Sequence, residues 1–187
     1  MDEFKKYKNW YKKIRKELKN KYGSDYKLFA GLIASTSPRF ALKRNAKTAQ
    51  RIYADYKLNK CALIEDFQNN KTDVLKRYKI INSHYNNILK CLRHDFSKKL
   101  VLNGNKVNAF YNNLIGNYHF VTLDVWMMRY FKHSKAWINL SEYKRYSNII
   151  KLKAYTMNLK PCELQAVIWT KIRRENGFKP LSLINFI

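Results

Sequence analysis

The chain has 187 residues, of which 46% are hydrophobic and 15% aromatic, so it can bury a core and is not a disordered basic tail. Lys and Arg number 38 against 13 Asp and Glu, which gives a formal net charge of +25. No apolar run is close in length to a membrane-spanning helix, which needs about 20 residues. The first residues lack the apolar stretch of a secretory signal.

Helical periodicity covers the first part of the chain. Apolar residues at spacings of three and four predict an amphipathic helix over 4–22 and a compact apolar helix over 25–35. Pro38 interrupts the pattern, because proline disfavours helical geometry in the residue before it. A third helix is predicted over 39–57, and the polar stretch 57–71 is predicted to be a connection containing a short helix.

The clearest apolar stripe of the chain predicts one long helix of about five turns. Its apolar positions are Val74, Tyr78, Ile81, Tyr85, Ile88 and Leu92. Beyond Asp95 we expect a short helix, a tight turn at Asn103-Gly104, and a helix that ends near residue 115.

The last third of the chain also has helical signals. Another helix is expected from about residue 122, and Asn139 or Ser141 can open a helix that ends near Met157. Pro161 suits the first turn of the final helix. Every connection is short and no internal repeat is found, so we predict one all-α domain over 1–187, with 1–23 as a basic amphipathic N-terminal helix.

The positive charge predicts an acidic partner, because self-repulsion destabilises a compact domain. Nucleic acid is the first candidate, since each neutralised phosphate releases counterions; an anionic membrane surface and a solvated basic surface are the alternatives. The cysteines, Cys61, Cys91 and Cys162, are odd in number and far apart, as in reduced cytosolic proteins. Cys91 and His94 have metal-ligand spacing, but no second pair completes a site. No metal or other cofactor is predicted.

Residues 100–129 carry a recognisable pattern. Gly104-Asn105-Lys106 precedes a helix, and the apolar run Phe-Val-Thr-Leu at 120–123 leads into Asp124, with Arg129 five residues later. This segment resembles the helix-hairpin-helix DNA glycosylase superfamily, to which endonuclease III belongs. In that family a Gly-rich hairpin ends in Gly-x-Lys and an apolar run enters Asp-x-x-x-x-Arg. The upstream segment 28–53 looks like the family's helix, polar turn and helix that reach the lesion from the other side.

The chain departs from the family pattern at two places. Leu102 occupies the first glycine position of the hairpin, and an alternative alignment puts Asn108 rather than Lys106 at the nucleophile position. The C-terminal four-cysteine iron–sulfur motif is missing, as in several branches of the superfamily. The sequence also resembles small uncharacterised phage proteins that have a similar Gly-x-Lys-Val and Asp-x-Trp pattern.

The resemblance implies a catalytic pair. Lys106 would attack the deoxyribose C1′ and form a Schiff base, which requires an amine pKa lowered by desolvation or by neighbouring cations. The alternative is a lysine that contacts phosphate. Asp124 would deprotonate Lys106 or a water and stabilise positive charge on the sugar; it could also cap a helix, and the two roles are compatible.

The resemblance also implies residues that bind DNA. Asn103, Gly104 and Asn105, together with Arg129, would hold phosphate; the alternative for the hairpin is an ordinary turn between helices. The turn that fills the gap left by a flipped base would be Ser35, Thr36 and Ser37, for which helix capping is the alternative. Residues that could stack on an extruded base are Tyr111, Tyr118, His119 and Trp126, each of which could instead belong to the core.

These patterns lead to one functional hypothesis and two alternatives. We expect a monomeric protein that binds double-stranded DNA, does not bind a membrane, and cleaves the N-glycosidic bond of a damaged or modified base. A lysine nucleophile would add strand scission by β-elimination, that is, AP lyase activity. The alternatives are a non-catalytic DNA-binding or packaging protein and a phage enzyme of DNA base hypermodification. The expected location is the cytoplasm, that of the host if the protein is phage-encoded, or else the virion.

Overall fold

Amphipathic periodicity produces ten α-helices in the part of the chain that the computed structural model describes, which is residues 7–135, 137–178 and 183–187. No strand occurs among these residues, so the predicted all-α class is confirmed. The helices are α1 (Trp10–Tyr22), α2 (Tyr26–Thr36), α3 (Leu42–Leu58), α4 (Lys60–Asn69), α5 (Lys71–Tyr78), α6 (Asn82–Arg93), α7 (Asn105–Ile115), α8 (Val125–Tyr130), α9 (Leu140–Thr156) and α10 (Pro161–Glu175).

The first three predicted helices are present. The stripe of α1 buries Tyr11, Ile14 and Leu18, while the predicted start at residues 4–6 lies outside the described residues. The apolar helix α2 is buried from Leu28 through Thr36. It packs against α1, α3, α6 and α7, which makes it the central helix of the fold.

The short helix predicted within the polar connection 57–71 is present as the ten-residue helix α4, which makes up most of that stretch. Asn59 starts this helix, since its side-chain oxygen accepts a hydrogen bond from the Ala62 amide at 3.0 Å. Leu63 and Phe67 bury the inner face of α4. Two apolar residues four apart are enough to anchor a short helix whose other faces are polar.

The predicted long helix over 74–92 is wrong in one respect, because it is divided into α5 and α6. Lys79 adopts a left-handed conformation with φ 52°, and the next amide, that of Ile80, donates to the Leu75 carbonyl at 3.0 Å. This arrangement ends a helix in the manner of a Schellman motif. Since Lys79 is neither glycine nor asparagine, the break has no local signal in the sequence.

The short helix expected after Asp95 is absent. Residues 94–104 contain no helix. The Asp95 carboxylate accepts from both the amide and the hydroxyl of Ser97, at 3.0 and 2.8 Å, and thereby holds a turn in place of a helix. Gly104, with φ 86°, then leads the chain into α7, so the predicted turn at this position is present.

The final helices follow the sequence signals closely. Asn139 rather than Ser141 caps α9: the Glu142 amide donates to Asn139 Oδ1 at 2.9 Å, and the Asn139 amide donates to Glu142 Oε2 at 2.8 Å. Pro161 is the first residue of α10. None of the described helices is long and apolar enough to cross a membrane.

Two hydrophobic cores meet along a polar seam. The larger core takes residues from α1 through α7 together with Cys162 and Ala166 of α10. The smaller core takes residues from α8, α9, the segment before α8 and the other buried apolar positions of α10. At the seam Tyr11 OH donates to Gln165 Oε1 at 2.9 Å and is paired with Thr122 Oγ1 at 3.1 Å. Asn113 Nδ2 donates to the same Thr122 hydroxyl at 3.2 Å. These hydrogen bonds fix the two cores relative to each other and lie beside the candidate site.

A candidate lysine–aspartate site

The Lys106 amine lies where the end of α2 meets the start of α7. Its Nζ donates to Ser37 Oγ at 2.9 Å and to the Ser37 carbonyl at 3.1 Å. Burial lowers the pKa of the Lys106 ammonium below the 10.5 usual for lysine, and the negative charge of Asp124 acts in the opposite direction. The lysine that the sequence analysis singled out is therefore a desolvated one within electrostatic range of the predicted aspartate.

His84 supports the turn that holds this amine. Its side chain is fully buried, and Nε2 donates to the Pro38 carbonyl at 2.8 Å, which assigns the proton to that nitrogen. Burial lowers the pKa of His84, and the cations Lys106 and Arg44 lower it further. Sequence reasoning missed His84 because it lies beside the apolar stripe of α6, where the pattern gives no sign of a polar role.

Asp124 is the N-cap of α8. Its Oδ1 accepts from the amides of Trp126 and Met127 at 3.0 and 3.1 Å, so the capping role considered for this residue is confirmed. Its Oδ2 accepts from Trp169 Nε1 at 2.8 Å. A carboxylate offers about four acceptor positions, two on each oxygen. Three are occupied, and the remaining position is on Oδ2.

An arginine–aromatic cluster borders Asp124. The Arg173 guanidinium lies 4.8 Å from the ring centre of Trp169 and 5.1 Å from that of Trp126. The Arg129 guanidinium lies 4.2 Å from the ring centre of Trp126, and its Nη1 donates to Asn176 Oδ1 at 3.3 Å. Arg129 thus belongs to this cluster, and Trp126 is its partly buried centre.

The hairpin before α7 is fastened to α6 by Asn87. The Asn103 amide donates to Asn87 Oδ1 at 2.7 Å, and Asn87 Nδ2 donates to the Asn103 carbonyl at 3.0 Å. Asn108 Oδ1, from the alternative nucleophile position, accepts from the Leu102 amide at 3.2 Å. Because the Asn103 amide is occupied, a phosphate at this hairpin would meet the N–H groups of Gly104 and Asn105, which have no acceptor within α7.

Ser37 alone of the three predicted gap residues contacts Lys106. Ser35 Oγ donates to the Gly31 carbonyl at 2.7 Å, and Thr36 Oγ1 donates to the Leu32 carbonyl at 2.8 Å. Both residues are fully buried and bond to their own helix. These bonds run to carbonyls four residues earlier in α2 and are not helix caps, and neither side chain lies on a surface that DNA could touch.

The predicted stacking residues are dispersed. Tyr111 lies in the larger core, where burial raises the pKa of its phenol, while Tyr118 is partly buried beside the same core. His119 is exposed on the loop between α7 and α8. In the described chain, neither Tyr111 nor His119 hydrogen-bonds to Lys106 or Asp124.

The fold and this site define a basic all-helical protein in which a desolvated lysine lies within electrostatic range of a helix-capping aspartate. The chain belongs to DUF7178, a family of unknown function whose model matches residues 2–176. No curated protein and no solved structure matches it.

Proposed function

We propose that this protein is a DNA glycosylase of the helix-hairpin-helix class, with AP lyase activity through Lys106. The observation that carries the proposal is the desolvated Lys106 amine, held by Ser37 within range of the Asp124 charge. A lysine acts as a nucleophile only when neutral, and desolvation raises the neutral fraction at a given pH.

The hydrogen bonds of Lys106 also suit an attacking amine. A neutral amine has two N–H donors and one lone pair. Ser37 offers two acceptors, its Oγ and its carbonyl oxygen, which can take both donors. The lone pair would then point away from Ser37, free to approach an electrophilic carbon.

The proposed step is the displacement of a base at the deoxyribose C1′. The Lys106 nitrogen forms a bond to C1′ while the glycosidic C1′–N bond breaks, and the base leaves with the electron pair of that bond. The attacking amine then loses a proton, for which Asp124 Oδ2 has one free acceptor position. The nitrogen lone pair then forms the C1′=N bond of a Schiff base as the C1′–O4′ bond breaks, and O4′ takes the proton held by Asp124. Loss of a C2′ proton forms the C2′=C3′ bond, and the 3′ phosphate leaves with the electron pair of the C3′–O bond.

Charge supports DNA as the partner. Between residues 74 and 123 the sequence has eight Lys and Arg and only one carboxylate, Asp95. The hairpin and Lys106 belong to this segment. The net charge of +25 also favours a second candidate function, a non-catalytic DNA-binding protein, because such a surplus strengthens binding to phosphates without any chemistry.

Borohydride trapping separates the two functions. The wild-type protein is incubated with duplexes that carry an abasic site, uracil, or oxidised, alkylated or phage-type modified bases, and sodium borohydride reduces any Schiff base to a stable adduct. We expect an adduct with the wild type and none with Lys106→Ala. Lys98→Ala is the matched control, since Lys98 is exposed and lies on the same basic segment.

The outcome decides between chemistry and binding. An adduct that persists in Lys106→Ala would remove Lys106 as the nucleophile. If no substrate gives an adduct or releases a base, while binding remains tight and salt-sensitive, the protein is the non-catalytic binder. In that case Lys106→Ala should make the fall of log K with log[salt] less steep by roughly 0.9, which corresponds to the loss of one phosphate contact.

A further inference from the structure

A basic groove lies next to the hairpin, between the end of α6 and the segment that follows it. It encloses about 630 Å³, a size typical of sites for small ligands, which span roughly 300–1,000 Å³. Its lining residues are Asn86, Leu89, Lys90, Arg93, His94, Lys99, Leu100, Val101 and Asn103. No carboxylate is among them.

The lining of the groove combines cationic and aliphatic side chains. Lys90, Arg93 and Lys99 are exposed at its walls. Val101 is 55% exposed, although a valine in a basic surface segment contributes nothing to charge or solubility. The groove therefore offers an apolar contact directly beside three cations.

One wall of the groove is rigid. Asn103 is fastened through its backbone to Asn87, and Lys90 Nζ donates to Asn103 Oδ1 at 2.7 Å. These contacts hold one cation of the groove beside the hairpin that leads into Lys106. A DNA strand that contacts the hairpin would therefore extend directly into the groove.

We propose that this groove binds consecutive phosphate–deoxyribose units of a DNA strand, with the phosphates on Arg93, Lys99 and Lys90 and the sugars on Val101 and Leu89. The inference rests on the proposed function in taking DNA as the partner, and it assigns the path of one strand. Cations recognise phosphate, and aliphatic side chains suit the C–H faces of deoxyribose. A free nucleotide offers the same chemistry, and the test separates the two sources.

A second cavity in the described chain serves as an internal control. It encloses about 470 Å³ and is lined by Asp55, Glu65 and Asp66 as well as by Arg77. Leu58 on its wall is 84% exposed. The two cavities thus each present an exposed aliphatic residue but have opposite dominant charge.

Thiol protection measures occupancy of the groove directly. In a Cys61→Ser background, which removes the exposed native thiol, Val101→Cys reports on the basic groove and Leu58→Cys on the acidic cavity. Alkylation by a maleimide is followed with an undamaged 20-base-pair duplex, with deoxynucleoside monophosphates, and with inorganic phosphate. At a free duplex concentration about ten times Kd, we expect Val101→Cys to react about tenfold more slowly, in proportion to 1 + [L]/Kd. Leu58→Cys should react at an unchanged rate.

Each result has one meaning. Protection by duplex but not by millimolar mononucleotide supports the strand site, and equal protection by mononucleotide supports a site for free nucleotides. If anisotropy shows that the duplex binds while Val101→Cys remains unprotected, the groove proposal is overturned and the proposed function stands. If neither the duplex nor a mononucleotide binds, the groove proposal and the proposed function both fail.

Salt dependence gives a second measurement that needs no cysteine. The double variant Arg93→Gln with Lys99→Gln should make the fall of log K with log[salt] less steep by about 1.8, or roughly 0.9 for each of the two lost phosphate contacts. The control pair is Lys43→Gln with Lys47→Gln, exposed residues of α3 that line neither cavity. Equal losses in the two pairs would mean that charge acts without a defined strand path, and would contradict the groove proposal.

Discussion

At the scale of the residue, Lys106 is held in an environment that opposes its charge. The amine has two acceptors from Ser37, but the surrounding core removes water from it and lowers its pKa. Burial of an ammonium costs free energy unless it is fully paired. A protein that keeps such a group gives up stability, and perturbed groups of this kind cluster at functional sites.

Lys106→Met should therefore stabilise the protein at neutral pH. A lysine whose pKa is lower in the folded state than in the unfolded state destabilises the protein, and this free-energy penalty is full at pH values below the folded-state pKa. The penalty is lost as pH rises toward the unfolded value near 10.5, because the folded state releases its proton first. We expect the melting temperature to rise by about 2–4 °C at pH 7, equivalent to roughly 1 kcal/mol for a chain of this size. Differential scanning calorimetry between pH 7 and pH 10 measures the difference, which should shrink with rising pH.

Lys98→Met is the control for this stability measurement. Lys98 is exposed, and surface substitutions of this kind usually change stability by no more than about 0.5 kcal/mol. A loss of stability in Lys106→Met, or a difference from the wild type that does not vary with pH, would show that Lys106 is not a desolvated cation.

At the scale of the element, α8 depends on its first residue. The helix has six residues, and a helix so short is not stable without tertiary contacts and a good cap. Asp124 supplies the cap through Trp126 and Met127 and links α8 to α10 through Trp169. The same carboxylate is the proposed base, so structure and chemistry can be separated only by choosing the substitution.

Asp124→Asn and Asp124→Ala make that separation. Asparagine can keep the cap through Oδ1, but its Nδ2 cannot accept from Trp169 Nε1, so the free energy of unfolding should fall by about 1 kcal/mol. Alanine removes both the cap and the acceptor for Trp169 Nε1 and should cost about 2 kcal/mol, roughly 1 kcal/mol for each. Urea unfolding measures both, and both variants should lose the trapped adduct. Full trapping by a folded Asp124→Asn variant would exclude Asp124 as the base.

Local sequence signals predict the positions of some helices and miss others. Periodicity and caps predict α1, α2, α3, α9 and α10, since Asn139 and Pro161 act on their own helix ends. The break at Lys79 and the non-helical stretch 94–102 were not predicted, because neither contains a glycine or a proline. There the chain leaves the helical path so that Ile80 and Leu100 can reach the larger core. Packing overrides propensity at such positions.

At the scale of the whole molecule, a charge of +25 is distributed over two cores that share a polar seam. Repulsion among the surface cations opposes the compact state, while the burial of apolar area in both cores favours it. Phosphates bound along the basic segment would remove part of that repulsion. Stability and binding are therefore linked through the same charges.

Salt should stabilise this protein in the absence of any nucleic acid. Raising NaCl from 0.1 M to 1 M shortens the Debye length from about 10 Å to about 3 Å and screens the repulsion. We expect the melting temperature, followed by circular dichroism, to rise steadily over this range. An undamaged duplex added at low salt should raise it as well, by mass action on the folded state. A melting temperature that is flat or falls with NaCl would contradict a stability limited by self-repulsion.

The sequence by itself determined the helical class, the positions of most helices, the basic surface and the choice of Lys106 and Asp124 as candidates, because these follow from spacing and composition along the chain. The tertiary structure decided what surrounds them. Ser37 lies 69 positions from Lys106, Trp169 lies 45 positions from Asp124, and His84 reaches the Pro38 carbonyl across 46 positions. Periodicity reports which face of a helix is buried but not which side chain of a distant helix meets it. That choice depends on how the helices pack around α2 and on where the two cores join.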